Sequence, residues 1–254
     1  MKSISLLMPF RERMSLLKQM LASLQATATD PSCLELIMAI DDDDPTLNNY
    51  GREKFLEEYW WLNIKIFETK RSEEICNAYW NPMAKMAEGR WLMDINDDSV
   101  FKTPGWDSII IRDMSRRAGK IGDDIIYGKV DDCYTKGGRD SKNCYFSTWA
   151  LQSKEACDAL GFFYDPCIHV GGGDHVMGLI YLALNKITNQ DRIVEMYDIV
   201  IDHFSFYTDQ REKDEFAVRN EGIWERNRFD TTREHEMEYA VKLKEYIDKK
   251  KCSI

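Results

Sequence analysis

The 254 residues contain no internal repeat, no low-complexity tract and no linker rich in proline, glycine and serine. Six prolines and fourteen glycines punctuate elements rather than separate domains. No apolar run reaches the roughly 20 residues of a spanning helix, so membrane insertion is not expected. The apolar stretch after Met1 is too short for a signal peptide and reads as a strand. Among seven cysteines, an odd number, there is no Cys-x-x-Cys pair. That pattern argues against a disulfide framework and for reduced thiols in a cytoplasmic protein. Positive charge is also in deficit, with 34 basic against 44 acidic residues and a net charge of −10. The deficit excludes a dedicated nucleic-acid coat or polybasic membrane binder, though not a local basic groove. A 44% hydrophobic content excludes wholesale disorder.

What is present alternates between strand and helix. Residues 4–10, 34–40, 63–68 and 90–95 are apolar runs of strand length, and the first is a continuous run typical of a buried parallel strand. Between them, 15–28 carries a helical stripe of Leu16, Leu17, Met20, Leu21 and Leu24, with Ser15 as its expected N-cap. Residues 50–61 read as one helix, and 72–88 as another interrupted at Pro82. Later strands are expected at 124–129, 145–151 and 197–202. Helices are expected at 153–160, stopped by Gly161, and from about 174 to 184. From 211 to 251 the chain is highly charged and reads as helical. The pattern predicts an α/β fold with a mostly parallel sheet and helices on both faces. We expect one domain over 1–210 and a helical extension, 211–254, packed on it.

In such sheets ligands bind beyond the carboxyl ends of the strands. Two of those ends carry carboxylate clusters: Asp41-Asp42-Asp43-Asp44-Pro45 and Asn96-Asp97-Asp98. Crowded carboxylates repel and raise each other's pKa, a penalty that a divalent metal removes. Mg²⁺ or Mn²⁺ on oxygen ligands would keep positions for a diphosphate. Both clusters also read as solvated acidic turns.

In this order the motifs resemble a glycosyltransferase of the GT-A fold, in the broad family 2-like group, and especially small, often phage-encoded transferases. Pro9-Phe10-Arg11 resembles the family's entry to the nucleotide site, and Asp41 its base-contacting acid. The stretch from Arg71 to Asn81 lies where the family often places nucleotide contacts. Asn96-Asp97-Asp98 resembles the metal-binding Asp-x-Asp motif but has Asn96 at its first position, which leaves Asp94 and Asp97 as competing ligands beside Asp98. The run from Asp98 through Pro104-Gly105-Trp106 to Asp107 resembles a motif that follows the metal site. Gly173-Asp174 resembles the acceptor-side segment that supplies the general base, and His203 the late histidine of the metal shell.

The resemblance implies transfer of a sugar from a nucleotide diphosphate donor, by default a UDP-sugar, to a hydroxyl acceptor. Asp98, Asp97 and His203 would hold Mn²⁺ or Mg²⁺, with Mn²⁺ better suited to an Asp/His set. Pro9, Arg11, Asp41, Arg71, Asn81 and Asp97 would place the donor. Asp174 would act as the base, giving inversion, or would simply cap its helix. A 5-hydroxymethylpyrimidine in phage DNA is one acceptor the resemblance suggests, which would place the enzyme in the host cytoplasm. Saccharides and protein side chains are others. Lys136, Arg139 and Lys142, or Arg219, Arg226, Arg228 and Arg233, could form a basic rim for DNA or an ordinary solvated surface. Cys167, His169 and His175 lack the paired spacing of a zinc site. Two other classes remain open. A nucleotidyltransferase would show a Gly-rich basic signature near the first strand, which residues 8–13 lack. A nucleotide-sugar binding module would need no base.

Overall fold

The computed structural model describes residues 3–133, 146–168, 172–203 and 232–252. Strand β1 (Ile4–Phe10) leads to helix α1 (Met14–Thr27), and β2 (Leu34–Asp41) to the short helices α2 (Pro45–Tyr50) and α3 (Arg52–Glu58). Strand β3 (Asn63–Thr69) precedes a π-helical turn, Cys76–Trp80, that runs into α4 (Asn81–Met86). Then come β4 (Trp91–Asp94), β5 (Ser99–Phe101), α5 (Trp106–Ile121), β6 (Tyr127–Asp131) and β7 (Leu151–Ser153). The described chain ends with α6 (Lys154–Leu160), α7 (Gly173–Thr188), β8 (Ile193–His203) and α8 (Thr232–Cys252).

The eight strands form one sheet in the order β3-β2-β1-β4-β7-β6-β8-β5. Six run the same way. Only β7, against β4 and β6, and β5, against β8, run antiparallel. Alternation along β1 and β2 sorts the core into two layers. Ile4, Leu6, Met8 and Phe10, with Leu34, Leu36, Met38 and Ile40, meet α1 and α5 on one face. Leu7, Ile37 and Ala39 meet α4, α6, α7 and α8 on the other. This is the expected α/β architecture, with helices covering both faces.

Several boundaries differ from the sequence expectation, each for a local reason. The helix expected over 50–61 is the shorter α3, Arg52–Glu58, which Gly51 at φ +90° separates from the preceding α2. Pro82 falls where the π-helical turn Cys76–Trp80 passes into α4, so the helix expected over 72–88 changes its winding there rather than ending. Ser15 is not the cap of α1; Arg13 stands there and no side chain caps it. The strand expected over 124–129 is shifted to Tyr127–Asp131. Of 145–151, residue 145 lies outside the described residues and only Leu151 is in β7. Ser153, expected as the first residue of its helix, is instead the cap of α6, accepting from Ala156 N at 3.0 Å, and Gly161 ends the helix at φ +90° as expected. Helix α5 and strand β5 were not among the expected elements.

The last helix, α8, packs on α6 and α7 through buried Ala240, Leu243 and Ile247. Lys242 Nζ donates to Leu160 O at 2.7 Å, and Lys250 pairs with Glu155 at 2.6 Å. Residues 204–231 lie outside the described residues. No helix of the described residues is long and apolar enough to cross a membrane, and their six cysteines are free thiols.

Candidate active site

The sheet's order reverses at β1, with β2 on one flank and β4 on the other. Pairing with β2 runs to Phe10, but pairing with β4 covers only Ile4–Leu7. Ile95 N donates to Leu7 O at 2.9 Å, so alternation turns the nitrogen of residue 9 toward the same flank. Pro9 has no N–H to offer there, so β4 parts from β1 without leaving a buried donor unsatisfied. The parting marks a topological switch point at the carboxyl ends of β1 and β4, the crevice position where open α/β sheets bind ligands.

The chain leaving β1 enters this crevice with two arginines. Glu12 between them holds φ +59°, a left-handed conformation that is costly for a non-glycine residue. Its N–H is fixed by Asp44 Oδ2 at 3.0 Å, and Asp44 also caps the start of α2 by accepting from Thr46 N at 2.7 Å. The kink sends the arginines apart. Arg11 binds Asp41 Oδ2 at 3.0 Å and also pairs with Asp43 and Glu12. Arg13 binds Asp97 Oδ1 at 2.6 Å and reaches to 3.6 Å from Asp98 Oδ2. Each acidic cluster therefore has a guanidinium from the same turn.

On the β2 side, buried Asp41 also accepts a hydrogen bond from Tyr79 OH. Asp43 is exposed, and Arg11 holds its carboxyl below the usual range, with Arg71 contributing from a distance. Arg71 is exposed at the rim. Asn81 does not face the crevice with a free amide. Its Oδ1 accepts from the backbone N–H groups of Phe163 and Tyr164, both at 2.9 Å, and its Nδ2 donates to Tyr164 O at 2.9 Å. Asn81 is a clamp on the loop after α6, which corrects the expectation that it contacts the donor.

On the β4 side, β5 pairs with the end of β8 and sets Ser99 opposite His203. That pairing delivers His203 Nε2 to 3.2 Å from Asp98 Oδ1. The imidazole is oriented by an edge contact with Trp149, whose indole N–H is tied to Ile201 O at 2.7 Å. Asp98 and His203 thus meet as expected of a carboxylate–imidazole pair. Asp97, fully buried, turns instead to Arg13, and the three side chains do not converge as one ligand set among the described residues. The donor chemistry of Asp98 and His203 fits a divalent transition metal. Asp97, expected in that shell, is paired with Arg13.

Asp174 opens α7, where burial beside Asp132 pushes its carboxyl up to about 6, against the opposing pull of His175 N–H and His203. Asp94, buried at the end of β4, accepts from Tyr164 OH. Burial raises its carboxyl well above the usual range, and Asp174 adds to the rise. Asp174, Asp94, Asp132 and His203 therefore share one electrostatic neighbourhood. Gly173 permits the approach of α7 to Tyr164, since a Cβ there would lie 2.7 Å from the ring. Trp106 is a packing residue, fully buried on Phe101 with ring centres 4.6 Å apart. Asp107 binds Thr29 N and Asp30 N, both at 2.9 Å, and so joins α5 to the end of α1. Arg13 and Tyr164 are not among the expected site residues, and Tyr79 is covered only by the stretch from Arg71 to Asn81. The one available signal was the Arg-x-Arg spacing after β1. Lys136, Arg139, Lys142, His169, Gly171, Arg219, Arg226 and Arg228 lie outside the described residues, as does the side chain of Arg233.

No protein-family model and no curated protein matches this sequence. Solved structures do share its fold. TarS of S. aureus, in complex with UDP, superposes with a TM-score of 0.56 at 13% identity over 79% of this chain and 60% of that one. The mannosyltransferase PcManGT of Pyrobaculum calidifontis, in complex with GDP-Man and Mn²⁺, gives 0.55 at 13% identity over 94% and 72%. GalNAc-T7 with UDP, GalNAc and Mn²⁺ gives 0.58 at 14% identity over 80% and 44%. The chain spans about 60% of the length of the TarS structure. At these identities the likeness establishes the GT-A fold.

Proposed function

We propose that this chain is a metal-dependent glycosyltransferase that moves a sugar from a nucleotide diphosphate, a UDP-sugar by preference, to a hydroxyl. The observation that carries the reading is the 3.2 Å approach of His203 to Asp98 in the switch-point crevice, beside a part-buried carboxylate raised to about 6. The Mn²⁺ and nucleotide complexes of proteins with this fold agree with it.

In this reading Asp98 and His203 hold the divalent ion, which when bound neutralises charge on the leaving diphosphate. Arg11, positioned by Asp41, and Arg71 at the rim bind the nucleotide. Pro9 keeps the entry open, and Arg13 holds Asp97 and steadies the acidic turn. Asp174 accepts the acceptor's hydroxyl proton as that oxygen bonds to the anomeric carbon and the carbon–diphosphate bond breaks, so configuration inverts. Residues 1–210 form the catalytic domain, with 211–254 as an extension on it. The acceptor proposed from the resemblance is a 5-hydroxymethylpyrimidine in phage DNA, with saccharide and protein hydroxyls as alternatives.

The test is a panel of UDP- and GDP-sugars with Mn²⁺ and with saccharide, peptide and hydroxymethylcytosine-DNA acceptors, read by nucleotide release. Release that depends on metal and acceptor is the expected result. Nucleotide binding with no turnover or donor hydrolysis would indicate a binding module. Pyrophosphate release from nucleoside triphosphates would indicate a nucleotidyltransferase. By calorimetry, Asp98→Ala should abolish the Mn²⁺-dependent part of UDP affinity; unchanged affinity would overturn the metal assignment.

A further inference from the structure

Outside the crevice, the loop after α6 meets the first turn of α8 with three ligand-type side chains. A carboxylate oxygen of Asp165, Cys167 Sγ and a ring nitrogen of His235 all lie within 4.8 Å of one another. Asp165 is only 2% exposed, whereas Cys167 is exposed and His235 half-buried. Asp165 Oδ2 stands 3.4 Å from His235 Nδ1. That is long for a carboxylate–imidazole hydrogen bond. It equals the edge of about 3.3–3.4 Å that a tetrahedron with metal bonds of about 2.0–2.1 Å imposes on two ligands. The other oxygen, Oδ1, is held by Cys167 N at 2.9 Å and Tyr239 OH at 3.2 Å. Such outer contacts are what fix the orientation of a ligating carboxylate. The bond to Cys167 N accounts for the turn itself. It does not account for a thiol meeting an imidazole from a helix far away in sequence.

We propose that Asp165, Cys167 and His235 form a zinc site, separate from the Asp98–His203 pair. Thiolate and imidazole favour a borderline-soft ion over Mg²⁺ or Mn²⁺. Cys167 binds as thiolate and releases its proton to solvent, so one carboxylate and one thiolate balance the charge of the dication. The exposed side of Cys167 leaves the fourth position to water. The ion fastens α8 to the loop that carries Tyr164, and so braces one wall of the crevice. The site stands whether or not the chain transfers sugars.

The experiment uses the full chain, stripped of metal and titrated with Co²⁺ and then Zn²⁺. One equivalent of Co²⁺ should give a thiolate-to-cobalt charge-transfer band that Zn²⁺ bleaches. Cys167→Ser should lose the band, and His235→Ala should weaken binding at least about tenfold, both with unchanged circular dichroism. Zn²⁺ should also slow alkylation of Cys167 but not of Cys252, which is exposed as well. Asp98→Asn should keep the band. Absence of the band in the wild type, its persistence in Cys167→Ser, or its loss in Asp98→Asn would each overturn the proposal.

Discussion

Asp174 is held near 6 by burial and by Asp132, and this separates its chemical value from its structural cost. A base must be unprotonated, so turnover should rise with pH through about 6 and then level. Stability runs the other way. Between the unfolded pKa of about 3.9 and the folded value of about 6, the native state binds more protons, so stability falls as pH rises through that window. Above it the full penalty is present, roughly 1–3 kcal/mol from a shift of about two units. Asp174→Asn should therefore lower kcat by about 10²–10⁴ while raising the denaturation midpoint at pH 7. An activity loss accompanied by destabilisation would mark Asp174 as a structural cap instead. At this scale the strand ends were legible: Asp41 closes β2, and Asp98 lies 3.2 Å from His203 at the end of β8. It was silent on Tyr79 and Tyr164, because nothing local links a phenol to a carboxylate 38 or 70 residues away. It misjudged Asn81, whose amide looks the same in sequence whether it meets a ligand or three backbone groups.

The turn after β1 is the element on which the crevice depends, because it divides Arg11 from Arg13. Its strain is concentrated at Glu12, at φ +59° and exposed. Glycine adopts that conformation without penalty, and a β-branched residue does so worst of all. Glu12→Gly should thus leave stability unchanged or raise it by up to about 1 kcal/mol, with donor affinity kept. Glu12→Val should cost about 1–3 kcal/mol and weaken UDP binding by splaying the two arginines. Urea denaturation and calorimetry on the same pair read both effects. Equal stability for the two variants would show that the backbone there is not under constraint. Elements bounded by strong local signals were legible, as with β1, β2 and the Ser153–Gly161 bounds of α6. Helix α5 was equally legible in principle. Trp106, Ile110, Met114 and Ala118 form its buried stripe, between Gly105 and Gly122. Strand β5, only three residues long, exists through its pairing with β8 and has no local signal.

For the whole molecule, the parallel order of β3, β2, β1 and β4 follows from alternating strands and helices. The antiparallel β7 and β5 do not, since each is set by a partner distant in sequence. The same division applies to charge. A formal −10 describes the chain, yet at the crevice Arg11 and Arg13 each meet an acidic cluster, so net charge is a poor guide to how that face treats an anion. The acceptor proposal then becomes a question of salt. The donor's phosphates are few and locally balanced, so the donor KM should move less than about threefold between about 50 and 200 mM salt. A DNA acceptor gripped by even two phosphates releases counterions on binding, and its KM should rise about tenfold over the same range. Steady-state kinetics with hydroxymethylcytosine DNA, varying each substrate in turn, measures both slopes. A steep acceptor slope beside a shallow donor slope is the expected outcome for the DNA reading. A flat acceptor slope would mean that no phosphate is held and would turn the assignment to an uncharged saccharide or a protein hydroxyl.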